Sequence, residues 1–274
     1  MLGRDHALLG AVAYLGAAPE VAHLTHTPLP PVELAVGTVV SAAFALLPDI
    51  DEPHSLVSTK LGPVSEAVSR FTNRVAGGHR HATHSLLFVA LVGAGLYGAG
   101  QWRWTPVVAV VLSGLLVMRI ILPFGVGRSG LLPLVLVAGA GWWAAIGSPP
   151  RLWLALTAAG GVFLHLVGDA LTIEGVPLLW PAPWRVKAPV LGHTDSGRER
   201  ALATLMGAGI AALLWFSVIS PTVQDARTHD WQRTIQTQIA NARTQVTHVQ
   251  TQIAHARTDV TTAQHDLAQV QGGQ

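Results

Sequence analysis

Apolar residues dominate the chain in seven runs, at about 7–24, 32–47, 85–99, 106–122, 131–147, 152–172 and 201–219, separated by short polar stretches. Continuous apolar runs of this length predict helices rather than strands, and several approach the roughly 17–25 residues needed to cross a bilayer. The first run is the weakest, because Glu20 and His23 interrupt its end. Seven such runs in succession leave too little polar surface for a soluble all-helical domain. The pattern therefore predicts an all-α, polytopic helical membrane bundle. No A-x-A site closes the first run, so it reads as a retained helix rather than a cleaved leader.

After Pro221 the pattern changes. The near-repeat QTQIANARTQVTHV is followed by QTQIAHARTDVTTA, and apolar positions alternate steps of three and four. They run Ile239, Ala242, Val246, Val249, Ile253, Ala256, Val260, Ala263, Leu267 and Val270. This is a heptad seam with mostly β-branched residues at a, which favours a two-stranded coil. Alanine at several d positions makes that coil weak. Two domains follow: a membrane-embedded part at 1–220 and an extramembrane coiled-coil tail at 221–274. Self-association through residues 232–270 is the expected partnership.

Composition sharpens this picture. Half the residues are hydrophobic and only 12% are charged, about half of the roughly 25% usual in soluble domains. The 17 basic residues are scattered, which argues against nucleic acid and suits a lipid surface. With no cysteine, disulfides and thiolate metal sites are excluded.

Loop charges set the orientation. Alternating spans put Arg4, Lys60, Arg70, Arg74, Arg80, Arg128, Arg185, Lys187, Arg198 and Arg200 on the N-terminal side, against Arg103 and Arg151 on the other. The positive-inside rule then places the N-terminal side in the cytoplasm of a cell membrane, and an odd number of spans sends the tail to the opposite face.

The ionisable residues at the ends of the runs gather on that same side. His6 opens the first run, LLPDID closes the second with Asp49 and Asp51, and GGHRHATHS brings His79, His81 and His84 to the third. FLHLVGDALTIEG carries His165 and Asp169, with Glu174 just beyond. His165 and Asp169 are spaced i, i+4 and share a helix face. Inside an apolar segment such a pair marks a functional site, or else a buried hydrogen bond between helices. Asp49 and Asp51 serve either as turn caps or as ligand and partner. Of the three clustered histidines, His84 is the strongest ligand candidate; His79 and His81 suit a solvated loop. Arg119, inside the fourth run, either pairs with a carboxylate or snorkels. Imidazole and carboxylate donors without thiolates suit one or two zinc ions, with manganese or iron less favoured. Arg80, Arg198 and Arg200 lie in the same loops and could hold a phosphate.

The order of His6, LLPDID with Pro53-His54-Ser55, HRHATHSLL and HLVGDALTIEGVPLLWP resembles the YdjM family of membrane-bound proteins regarded as metal-dependent hydrolases. The resemblance covers about residues 1–215. It extends to SGRER, which makes Glu199 a lesser metal candidate. Distant similarity of that family to zinc-dependent phospholipases C and single-strand nucleases implies His165 and Asp169 as a ligand pair, joined by Asp49 or Asp51, His84 and His6. Within the matched residues, about 1–215, no second such His-x-x-x-acid pair stands out, which favours one or two metals over three.

The expected function is hydrolysis of an ester or phosphoester on a lipid, with His6, Asp49, Asp51, His84, His165 and Asp169 as ligands and Asp51 or Glu174 orienting the water. Membrane lipid is then the substrate-side partner. A non-catalytic metal-stabilised scaffold paired by its tail is the alternative, and an ion pathway ranks last because the polar groups stay at one face.

Overall fold

In a computed structural model the chain is described at residues 1–121, 131–147 and 149–221, and at scattered positions between 239 and 251. Among the described residues there are nine α-helices and no named strands. They are α1 (Gly3–Thr25), α2 (Pro31–Phe44), α3 (Leu56–Lys60), α4 (Pro63–Ala76), α5 (Leu86–Ala99), α6 (Thr105–Ile121), α7 (Leu131–Gly147), α8 (Arg151–Ala170) and α9 (Gly197–Leu214). A 3-10 turn, Leu47–Asp51, continues α2, and a π-turn, Trp215–Ile219, continues α9. The chain divides into two compact units, Met1–Ser220 and Pro221–Gln274. In the second unit, most of the heptad seam lies outside the described residues; its described positions, such as Ile239 and Val246, are helical.

Each of the seven apolar runs falls on a helix. Among the described residues four stretches are long and apolar enough to cross a membrane: Gly3–Thr25, Pro31–Asp51, Arg151–Ala170 and Gly197–Ile219. The helices at Leu86–Ala99 and Thr105–Ile120 are apolar but shorter. The first run extends to 23 residues despite Pro19 and Glu20. Arg119 is exposed on α6.

Lipid tails are as apolar as leucine, so burial alone does not drive these helices together; close approach of small residues and hydrogen bonds does. The junction of α1, α2 and α8 is built that way. Ser41 on α2 donates its hydroxyl to the Gly10 carbonyl of α1 at 2.9 Å. A side chain added at Gly161 of α8 would collide with the Ser41 carbonyl, and one at Gly10 would stand 2.8 Å from the Ala45 Cβ. Trp153 Nε1 donates to the Tyr14 hydroxyl at 3.0 Å, linking α8 to α1. Leu154 and Val40, both fully buried, pack with Val110 and Ala144 in a core shared by α2, α6, α7 and α8. Glycine at 168 leaves room for His6, whose ring an added Cβ would meet at 3.1 Å. The three packed helices thus bring their polar ends to one place.

Candidate metal centre

The ends that meet carry the ionisable residues. α2 runs into Leu47–Asp51, with Pro48 opening the 3-10 turn, and this tight turn points Asp49 and Asp51 differently. Neither aspartate caps a helix: Ser55 does, accepting from Ser58 N, while its hydroxyl also donates to the Asp49 carbonyl at 2.7 Å. A second 3-10 turn, Ala82–His84, delivers His84. α8 supplies His165 and Asp169 from successive turns, and α1 supplies His6. His6, His84, His165, Asp51 and Asp169 are all essentially inaccessible.

His165 Nε2 and His84 Nε2 stand 3.1 Å apart. Asp49 Oδ1 is 3.6 Å from each, and Asp169 Oδ2 is 3.7 Å from each. Four ligands around zinc at roughly 2.0–2.1 Å in tetrahedral array would be separated by about 3.4 Å. The observed separations bracket that edge.

The surroundings fix which atoms face the centre. His165 Nδ1 lies 2.7 Å from the Ala45 carbonyl, so it donates there and Nε2 is left with its lone pair. Thr83 donates to Asp51 Oδ2, and its oxygen lies 3.1 Å from His84 Nδ1, which is also 3.4 Å from Asp51. His84 therefore also presents a bare Nε2. Two lone pairs face each other, an arrangement a cation relieves. Hydrogen bonding of the far imidazole nitrogen to a carbonyl or carboxylate is the usual support of a metal-bound histidine.

Asp169 is divided in the same sense. Its Oδ1 takes Arg80 at 3.0 Å, His6 Nε2 at 3.2 Å and the Met1 amine at 3.1 Å. Its Oδ2 is buried with no hydrogen-bond partner and faces the two imidazoles. An orphaned buried carboxylate oxygen is costly, and this one fits a cation. His6 stacks on His165 with ring centroids 3.7 Å apart; its Nδ1 is likewise buried without a partner. Among the described residues three overlapping groups have the reach to hold an ion: Asp49, Asp51, His79 and His84; His6, Asp49 and His165; and His84, His165 and Asp169.

Several expected roles change. Asp51 is fully enclosed and holds His79 Nδ1 at 2.7 Å, the Arg80 backbone N–H at 3.1 Å and Thr83, so it orients histidines rather than water. Glu174 is 60% exposed and bound by Arg80 NH1 at 2.6 Å. Arg80 is itself buried and committed to Asp169 and Glu174, not open to a phosphate. Arg198 donates to the Val190 carbonyl and Arg200 pairs with Asp195; neither touches the cluster. His81 stays exposed, its Nδ1 2.9 Å from the His79 carbonyl. Glu199 is fully buried but accepts from the backbone of Leu2 at 2.6 Å and of Asp195 at 2.7 Å. It ties α1 to α9 and is no ligand. His79, expected to be solvated, is only 35% exposed. Burial works against its charged form, but the hydrogen-bonded Asp51 carboxylate prevails and raises its pKa.

Thr83 and the Ala45 carbonyl were not anticipated. Thr83 adjoins His84 in the chain and could have been suspected; a backbone carbonyl leaves no mark in a sequence.

The family described as YdjM inner membrane protein matches residues 1–224. Inner membrane protein YdjM of Escherichia coli (strain K12) is 30% identical over 146 residues, covering 53% of this chain and 50% of that protein. The protein of the same name from Shigella flexneri matches to the same extent. The chain spans about half the length of these curated relatives. No solved structure matches. A helical membrane unit and a family match running through all of its membrane helices lead to one assignment: the chain belongs to the YdjM family of inner membrane proteins.

Proposed function

We propose that this protein is a membrane-embedded, metal-dependent hydrolase that cleaves a phosphoester or ester of a lipid-like substrate at the membrane interface. One observation carries the reading: two imidazole nitrogens and two carboxylate oxygens from the turn after α2, from α8 and from the turn before α5 converge at 3.1–3.7 Å, one of those oxygens otherwise orphaned. His84, His165, Asp49 and Asp169 hold the ion and His6 flanks it. The donor set favours zinc over manganese or iron. When bound, the ion supplies Lewis acidity and acidifies water near neutral pH.

The chain's own groups do the rest. Arg80 clamps Asp169, and Ala45 and Asp51 fix the two imidazoles. Asp49 is 17% exposed, and the more exposed His79 and Glu174 are joined to the cluster through Asp51 and Arg80. His79, held by Asp51, takes a proton from the attacking water and returns it to the leaving oxygen. The excess of lysine and arginine on this side supports a cytoplasmic site. The heptad pattern supports pairing of copies through residues 232–270.

The test is metal analysis of the purified full chain, followed by turnover on chromogenic phosphoesters, esters and phospholipids. Asp169→Asn and His84→Ala are expected to lose bound metal and turnover together while still inserting. Metal retained in both variants overturns the site. Stoichiometric metal in the parent with no turnover on any substrate of the panel overturns the hydrolase and leaves a metal-stabilised scaffold.

A further inference from the structure

The segment between the two halves of the cluster has a surface that the metal site does not explain. Asp51 ends the turn after α2 and His79 precedes the turn before α5, and their side chains meet at 2.7 Å. The chain between them therefore leaves one end of the bundle and returns to it without a net crossing. Within it α4 is 14 residues long, about 21 Å at 1.5 Å per residue, too short for a span of about 30 Å.

α4 has three faces. Ser65, Ser69 and Ala76 are buried against the protein; the Ser65 hydroxyl donates to the Ser58 carbonyl at 2.7 Å, and Asn73 Nδ2 donates to the Asp51 carbonyl at 2.6 Å. A second face carries Val64, Val68, Phe71 and Val75, spaced i, i+4, i+7 and i+11, and these are 76%, 47%, 66% and 69% exposed. Leu61, just before the helix, is 37% exposed and prolongs the stripe. Glu66, Arg70 and Arg74 form the third face, with Arg74 nearest the stripe; Arg70 and Glu66 are 3.9 Å apart. A large apolar stripe beside a face that carries arginines, on a helix of low net hydropathy, has the design of an element lying in a membrane interface. Water is a poor neighbour for four consecutive apolar side chains on one face.

We propose that α4 is an in-plane membrane helix, with the Val64–Val68–Phe71–Val75 stripe at the acyl boundary of the leaflet nearest the cluster and Arg70 and Arg74 on its anionic headgroups. The inference needs only membrane residence and stands whether or not the cluster is catalytic. Two observations favour lipid over a protein partner: the arginines of the neighbouring face complement an anionic surface, and the segment that carries the stripe leaves and rejoins one end of the bundle beside a stretch, Pro31–Asp51, long and apolar enough to span. The Asn73–Asp51 bond makes α4 a brace for the loop that positions His79 and His84, setting the cluster at headgroup depth.

Because the chain has no cysteine, single nitroxide labels can be placed in the full protein at Val68→Cys, Phe71→Cys and Val75→Cys, and at Glu66→Cys and Arg70→Cys. In vesicles of phosphatidylethanolamine and phosphatidylglycerol, the three stripe labels should favour oxygen over a nickel chelate several-fold more than the two polar-face labels do. Replacing phosphatidylglycerol by phosphatidylcholine should reduce the preference of the stripe labels over the Glu66→Cys label in the parent background and change little in an R70Q/R74Q background. Stripe labels more accessible to nickel than to oxygen overturn the proposal. So does spin–spin broadening that vanishes on dilution with unlabelled protein, which would mean a second copy covers the stripe. Indifference to headgroup charge overturns the anionic contact. On the unmodified chain, a lipid-phase diazirine probe should modify residues 61–75; their protection overturns the proposal independently of any substitution.

Discussion

Two groups of buried acids lie at the same end of the bundle and do opposite things. Asp169 offers a bare oxygen to two bare imidazole nitrogens. Glu199, equally buried, spends both oxygens on backbone N–H groups of Leu2 and Asp195; its neighbour Asp5 is buried with neither oxygen hydrogen-bonded, but it faces Glu199 and the Arg4 guanidinium at 3.4 Å rather than imidazole lone pairs. The residue types, depth and end of the molecule are alike. What differs is what faces the carboxylate. Donors satisfy an acid and make it a clamp; lone pairs leave it unsatisfied and make it a cation site. Burial of an acid in a membrane helix marks importance, and its neighbours decide the kind.

The widest gap between the two groups should appear in metal content. His165→Ala removes one of the converging nitrogens and should abolish stoichiometric metal in the purified protein. Glu199→Gln should leave that stoichiometry intact, costing about 1–3 kcal/mol of stability because one of the two backbone N–H groups loses its acceptor and faces an amide N–H instead. Metal analysis and thermal unfolding of both variants separate these effects. Should Glu199→Gln strip the metal as fully as His165→Ala, the two acids belong to one site and the distinction fails.

A smaller effect is expected from Asp51, which touches both kinds of neighbour. It accepts a backbone N–H from Arg80 like a clamp, yet steers His79 and His84 toward the centre. Asp51→Asn keeps the shape but weakens this steering. Loss of such an outer partner typically costs 10–100-fold in metal affinity, so titration with zinc should show a weakened site with unchanged stoichiometry. An unaltered affinity would reduce Asp51 to a structural acceptor, while a vanished site would make it a ligand.

These distinctions show where a sequence stops being informative. The apolar runs were legible because a bilayer demands long apolar segments, and all seven became helices. His165 and Asp169 were legible because i, i+4 spacing fixes a shared face. Their meeting with His84, 81 residues away from His165, followed from span alternation putting both on one side. Asp49 and Asp51 could not be ranked, since they flank a single residue and only the 3-10 turn decides which one reaches the imidazoles. Arg80, Arg198 and Arg200 looked equivalent as cations. One is buried on carboxylates 89 and 94 residues distant, and two sit on a helix start facing away, with Glu199 between them pointing inward. The stripe of α4 was written plainly in Val64, Val68, Phe71 and Val75, but it falls between the apolar runs and is too short to be read as one of them.

The smallest and sharpest prediction concerns His79, where the clamp and the metal site share a proton. In metal-free protein the Asp51 carboxylate raises the His79 pKa above 6.5, so the protonated ring is favoured in the folded chain. The resulting stabilisation is complete below the unfolded value and is lost as pH rises through the folded one. Metal-free protein should therefore become less stable across that narrow window, and His79→Gln should flatten this part of the profile. The ring is one-third exposed, so solvent screening keeps the effect small. Thermal unfolding against pH in detergent, parent beside variant, measures it directly. Identical profiles would mean that Asp51 holds His79 as a neutral partner, and proton transfer would then have to pass to Glu174, the exposed carboxylate that Arg80 joins to the cluster.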